Sequence, residues 1–240
     1  MIKKTGRQTL IFTNAPVITG YASVVGKKEA QGPLGALFDK CISDSRAGCK
    51  TYEDAESSLQ RDAAMLALKK SGLDAKDIDI SLAGDLLNQC IASAFAQKDL
   101  KIPYLGQYGA CSTMAQALLT AAVFAESGAA ENVLCSASSH FCSAERQYRF
   151  PMEYGEIRTP TAQWTVTGAG SCVVSAGGKG VSIAAATPGI ITDAGVTDAN
   201  NMGAAMAPAV GIIRPYYPAE DADWQAFTSQ IQRKGEKPAG

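Results

Sequence analysis

Helical and strand-like segments alternate between residues 51 and 137, and that alternation predicts an α/β protein with a mostly parallel sheet and helices on its faces. Three observations carry the prediction. A capped amphipathic helix opens at Thr51, a period-two strand runs through Ile78, Ile80 and Leu82, and an alanine-rich helix opens after a Gly-Ala-Cys turn at 109–111. The 240 residues suit one large or two moderate domains, and 46% hydrophobic with 19% charged residues is an ordinary globular composition.

Gln8 to Phe12 reads as an edge strand, paired with Tyr21–Val25 across the Asn14-Ala15-Pro16 turn. Lys27 to Asp39, carrying Gly32-Pro33-Leu34-Gly35, reads as loop. Thr51 is an N-cap, its hydroxyl aimed at the N–H of Asp54 with acid in the first turn. Ala55, Leu59, Ala63 and Leu66 then share one helix face, and Gly72 closes the helix. The strand through Ile78–Leu82 leads into Gly84-Asp85, a helix over about 89–98, a strand at Tyr104–Tyr108 and a helix over 112–126 that Gly128 ends. That helix has no charge before Glu126, which predicts burial on all sides. Asn132 to Ala137 is the next strand. Phe150 to Trp164 reads as a surface loop; strands at Gly170–Ser175 and Val181–Thr187 form a hairpin around Gly177-Gly178-Lys179-Gly180. Beyond Thr187 the pattern weakens, with a last short helix over Trp224–Ile231.

A formal net charge of -1, with no basic run, argues against nucleic acid. No apolar stretch follows the charged N-terminus, so no secretory signal is expected, and no run approaches the roughly 18 apolar residues of a membrane span. Any membrane association is then peripheral. Seven cysteines without a C-x-x-C pair show no metal spacing and suit a reducing compartment. No metal and no cofactor are expected. His140 is the single histidine, so no two-histidine site exists within these residues.

In parallel sheets ligands gather at the carboxyl ends of the strands. Three tips fall there: Gly84-Asp85, Ala110-Cys111 and Ser138-Ser139-His140. Cys111 opens a helix, where N–H groups and the dipole favour a thiolate; it is also small enough simply to pack at a tight turn. Asp85, with Asn88 three residues on, is either the cap of the next helix or a ligand contact, or both. His140 and Ser139 face the cleft or serve structure.

The ordered series Gly32-Pro33-Leu34-Gly35, Asp77-Ile78-Asp79 through Gly84-Asp85-Leu86-Leu87-Asn88-Gln89, Gly109-Ala110-Cys111-Ser112-Thr113, Ser138-Ser139-His140, Ala144 to Pro151, Glu153-Tyr154-Gly155, Thr165-Val166-Thr167-Gly168 and Met202 to Pro208 resembles the stage V sporulation protein AD family. It covers about 7 to 209. The resemblance implies a thiolase-like fold, here one complete half of a duplicated βαβαβαββ unit. The second half, due near residue 181, is missing or divergent. Residues 1–187 would then be the half-domain, and 188–240 a linker and divergent tail.

The resemblance further implies a protein of the inner spore membrane complex, held peripherally on its cytoplasmic side. There it would bind dipicolinic acid (pyridine-2,6-dicarboxylate), alone or as its Ca²⁺ chelate, for uptake into the developing spore. Implied partners are that ligand, the other proteins of the uptake complex and a second copy in a homodimer, expected through the sheet edge near Tyr104–Tyr108. The ligand-binding residues would be Asp85, Asn88, Cys111, Ser112, Thr113, Ser139, His140 and Arg149. The N–H groups at Cys111-Ser112-Thr113 suit an anion, and Arg146 and Arg149 either grip carboxylates or lie on a solvated helix face with Glu145. Tyr148, Phe150 and Tyr154 stack on the pyridine ring or anchor the loop. Asp85 repels a dianion, so it would act through Ca²⁺ or as an orienting acceptor. The alternative is a cysteine-dependent acyltransferase with Cys111 as nucleophile. That chemistry needs a partner base, and condensing enzymes draw theirs largely from the second half. The sequence therefore favours binding without catalysis.

Overall fold

Thr51 turns the chain into the longest of the described helices, its hydroxyl accepting from the Asp54 N–H at 3.1 Å as its place before an acidic first turn predicts. The protein is described here from a computed structural model that covers residues 1–148, 164–191, 193, 195–197 and 203–204. Arg149, Phe150, Tyr154, most of the expected 150–164 loop and the expected helix at Trp224–Ile231 lie outside the described residues, as do the side chains of Arg146 and Tyr148.

In chain order the elements are β1 (Ile2–Thr5), β2 (Thr9–Phe12), β3 (Val17–Val25), α1 (Lys27–Ala30), β4 (Lys40–Cys41), α2 (Tyr52–Ser71), β5 (Ile80–Gly84), α3 (Ile91–Leu100), β6 (Tyr104–Gly106), α4 (Thr113–Ser127), β7 (Asn132–Ser139), α5 (Phe141–Tyr148), β8 (Gly168–Ser175), β9 (Val181–Ser182) and β10 (Ala185–Ala186). The main sheet has the order β4-β3-β8-β7-β5-β6, with β9 also on β3. Strands β6, β5 and β7 are mutually parallel, β8 runs antiparallel to both β7 and β3, and β4 is parallel to β3. This is the expected α/β class, with β8 and β9 as the reversed strands.

Period-two alternation assigns the two faces. Leu134 and Val173 pack with Ala64, Leu68 and Leu100 of α2 and α3. Their chain neighbours Val133, Cys135, Cys172 and Val174 pack on the other face with Leu82 and with Ala117 and Ala121 of α4. Each fully buried aliphatic side chain here contributes about 1.5–3 kcal/mol. Helix α4 buries a stripe at Thr113, Ala117, Ala121, Ala122 and Ala125 but leaves Ala115 and Gln116 exposed, so it is covered on one side rather than on all. An alanine-rich helix carries no charge in either case, so composition alone did not distinguish them.

Two expected pairings change. Strand β2 joins β1 and β10 in a separate three-stranded sheet instead of pairing with Tyr21–Val25. That part of β3 is already engaged by β8, from Tyr21↔Cys172 to Val25↔Gly168, a longer ladder than the four residues of β2 provide. Likewise β9 does not form a hairpin with β8; it pairs with β3 at Val17↔Ser182 and Ile18↔Val181, so β3 lies between them. The glycines of the connection permit this crossing. Gly180 has φ +156, and a Cβ there would stand 2.0 Å from the Ile18 carbonyl oxygen. The expected loop at 27–39 contains the short helix α1 and a 3₁₀ turn at Gly35–Leu37.

Met1–Thr5 and Leu10–Ala186 form one compact unit. Gly6–Thr9 and the described residues from Thr187 onward form a second, in which Gln8 Nε2 donates to the Pro188 carbonyl at 2.7 Å and the hydroxyls of Thr9 and Thr187 meet at 3.0 Å. No described helix is long and apolar enough to cross a membrane.

Candidate functional site

The carboxyl ends of β5, β6 and β7 lie along one edge of the sheet because the three strands are parallel. Asp85, Asn88, Cys111, Ser112, Thr113, Ser139 and His140 lie around this edge, but on different sides of it.

Asp85 follows β5 and is almost fully buried. Its Oδ1 accepts from the Leu87 N–H at 2.8 Å; its Oδ2 accepts from the Ser93 N–H at 2.7 Å and the Ser93 hydroxyl at 2.6 Å. The carboxylate therefore fastens the first turn of α3, which the chain enters through left-handed Gln89 and Cys90 (φ 60 and 53). Asn88 stands exposed in the 3₁₀ turn just before α3.

The thiol turn follows β6. Gly84 and Gln107 touch so closely that a Cβ at Gly84 would sit 1.8 Å from the Gln107 carbonyl oxygen. Only glycine lets β5 end against this turn. Ala110 then adopts a left-handed φ of 47, a 3₁₀ turn carries Ala110–Ser112, and α4 begins at Thr113. Ser112 donates to the Gly109 carbonyl at 2.7 Å, and buried Thr113 accepts from the Gly109 N–H at 3.3 Å. Cys111 and Ser112 are exposed, so the sulfur is presented to solvent at the head of α4.

At the end of β7, Ser139 donates to the Val166 carbonyl at 2.6 Å. His140 is 1% exposed and tilts over the Tyr52 ring with centroids 5.2 Å apart. Its Nδ1 accepts from the Cys142 N–H at 3.2 Å, which assigns the proton to Nε2, and Nε2 donates to the Ser45 carbonyl at 2.7 Å. Burial holds the imidazole below its usual pKa, against the opposing pull of the Ser45 carbonyl and of Glu53 and Glu29. Both nitrogens are thus engaged and the ring is neutral.

Beneath this edge lies a buried polar cluster to which the strand-tip rule does not point. Glu56 and Gln60 of α2 are fully buried. Gln60 Nε2 reaches Ser138 Oγ at 2.9 Å, Ser93 Oγ at 3.0 Å and the Gly84 carbonyl at 3.3 Å. Ser138 Oγ lies 3.1 Å from Glu56 Oε1, and Ser143 Oγ lies 3.0 Å from Oε2. Burial, reinforced by the charge of Asp85, pushes the Glu56 carboxyl up to about 7, against the two serine hydroxyls. A signal was available: Glu56, Gln60, Ala63, Ala64 and Ala67 share helical spacing, so two polar side chains fall inside the buried stripe of α2.

A cleft of ≈ 610 Å³ opens beside the β7–α5 corner, with Lys27, Lys28, Phe141, Cys142, Trp164 and Thr167 among its walls. The Lys28 ammonium lies 3.0 Å from the centre of the Trp164 ring, which packs on Phe141 at 4.6 Å. His140 reaches this cleft; Asp85, Cys111, Ser112 and Thr113 do not line it. Among the described residues no three His, Cys, Asp or Glu side chains cluster as metal ligands would.

The family model for stage V sporulation protein AD (SpoVAD) matches residues 6–227. Stage V sporulation protein AD of Bacillus subtilis (strain 168) is 43% identical over 208 residues, 87% of this chain and 62% of that protein. The chain thus spans somewhat under two thirds of that relative's length. Among solved structures, 3-oxoacyl-[acyl-carrier-protein] synthase III from Aquifex aeolicus VF5 is 19% identical with a TM-score of 0.44, over 67% of this chain and 53% of its own. OleA from Xanthomonas campestris is 17% identical with a TM-score of 0.46, over 69% of this chain and 57% of its own.

Proposed function

The chain belongs to the stage V sporulation protein AD family, and from that premise we propose that this sporulation protein binds dipicolinic acid, alone or with Ca²⁺, without transforming it. The reading includes a thiolase-like scaffold put to ligand binding, peripheral attachment to the inner spore membrane and cooperation with the other proteins of dipicolinate uptake. It also includes a homodimer through the β6 edge, where Leu105 and Tyr108 are exposed, as are Ile91 and Phe95 of α3.

One observation carries the non-catalytic half of the reading. The single histidine of these 240 residues has both ring nitrogens occupied and is buried, so it offers Cys111 no imidazole base. An exposed thiol at the head of α4 is then a contact for an anion rather than a nucleophile in turnover.

Calorimetric titration of dipicolinate into the folded protein, with and without Ca²⁺, tests this. Saturable heat that weakens on Cys111→Ala supports binding at the thiol turn. Absence of heat from protein shown to be folded removes the proposal. Covalent acylation of Cys111 by an acyl thioester, followed by turnover, replaces it with the acyltransferase alternative.

A further inference from the structure

The side chain that ligand binding leaves without a role is Glu56. It extends from α2 into full burial and meets hydroxyls from two other elements, Ser138 on β7 and Ser143 on α5. One carboxyl thus joins three elements at the corner that carries Ser139 and His140.

Counting hydrogens shows where a proton belongs. Ser138 Oγ receives an N–H of Gln60, so its own hydrogen goes to Glu56 Oε1. Ser143 has one hydroxyl hydrogen but two acceptors within reach, Glu56 Oε2 at 3.0 Å and the His140 carbonyl at 3.2 Å. With a proton on Oε2, Glu56 donates to Ser143 and Ser143 donates to His140, and both contacts of Ser143 become hydrogen bonds. Without it, one of the two contacts has no hydrogen, and a charge remains in a fully buried site.

Asp85 is the contrasting case. Two backbone N–H groups and the Ser93 hydroxyl donate to its carboxylate, whereas Glu56 meets two serine hydroxyls. The ionisable groups around Glu56 among the described residues are Glu53 on its own helix, Asp85 after β5 and His140 after β7. The first two are acids, and His140 is neutral. Among the described residues, Glu56 takes part in no ion pair.

We propose that Glu56 is a proton-operated latch. Protonated, it pins α2 to the β7–α5 corner; when its proton passes to solvent base, the corner loosens. The latch goes beyond the ligand reading and does not depend on it.

The sign follows from linkage. A carboxyl raised from 4.5 to about 7 in the folded state contributes stability that is complete below the lower value and lost as pH rises through the upper one. His140, held low in the folded state, acts in the opposite sense, losing stability as pH falls. The readout is therefore a difference between the native chain and Glu56→Gln, which keeps His140 constant.

The full chain carrying ¹³C at glutamate carboxyl carbons is followed by NMR against pH. One resonance is expected to titrate near 7 and to vanish in Glu56→Gln. In urea unfolding, the folding constant of the native chain relative to Glu56→Gln falls by up to about tenfold per pH unit across that window. Exchange of the Ala144 amide, which donates to the His140 carbonyl at 2.9 Å, speeds up above the midpoint by more than base catalysis predicts. Three results each overturn the latch: all glutamates titrating at ordinary values, parallel pH profiles for the two proteins, or titration near 7 with Ala144 protection unchanged. Should Glu56→Gln fail to fold, the resonance and exchange measurements on the native chain decide alone.

Discussion

On the α2 side of the sheet edge, Glu56, Gln60, Asp85, Ser93 and Ser138 are buried and bonded to one another. On the α4 side, Ala110, Cys111 and Ser112 stand exposed in a tight turn. Both regions end strands of one sheet, yet their physics differs. In the sealed cluster most polar atoms are paired with other protein groups, while Gln60 Oε1, equally buried, has no protein partner among the described residues. In the open turn water supplies partners, so residues can change at small cost to folding. Rigidity resides in one flank and chemical access in the other.

The contrast is broken most readily at the packed core beneath the sealed flank. Leu134→Ala removes a fully buried side chain between Val173, Ala64 and Leu100 and should cost about 2–5 kcal/mol in urea unfolding. A loss well under 1 kcal/mol would mean that the α2 and α3 face is not tightly packed. Next comes Ser93→Ala, which takes a hydroxyl donor from Asp85 and an acceptor from Gln60. It should cost about 1–3 kcal/mol in the same measurement and leave the fold intact by circular dichroism. An unchanged midpoint would show that water enters the cluster.

The smallest effect belongs to the open flank. Cys111→Ala should alter stability by under about 0.5 kcal/mol. Mass spectrometry of native protein treated with a thiol reagent sharpens the point: exposed Cys111 and Cys41 should label first, and buried Cys90, Cys135 and Cys172 last. Labelling of Cys135 as fast as Cys111 would put the two flanks on the same footing.

Much of this architecture was readable in the chain. The Thr51 cap, the Gly72 stop and the Gly128 stop are local devices, and all three appear as expected, both glycines with positive φ. Asp85 after its strand reads as a cap or a ligand contact; its carboxylate bonds to Ser93 in the first turn of α3, while Cys90 occupies the cap position itself. The pairing of β2 and β9 was not readable, since short strands of similar composition compete for β3 and only the whole sheet decides among them. Nor was the engagement of His140, whose Nε2 partner, the Ser45 carbonyl, is 95 residues away.

The sequence by itself determined the order of elements from α2 to β7 and the family, because caps, periodicity and an ordered series of motifs are written in neighbouring residues. Only the tertiary structure decided which polar side chains of α2 are sealed in and which histidine nitrogens are occupied. Those outcomes depend on burial and on partners brought from far along the chain, as Ser143 is brought to Glu56 across 87 residues.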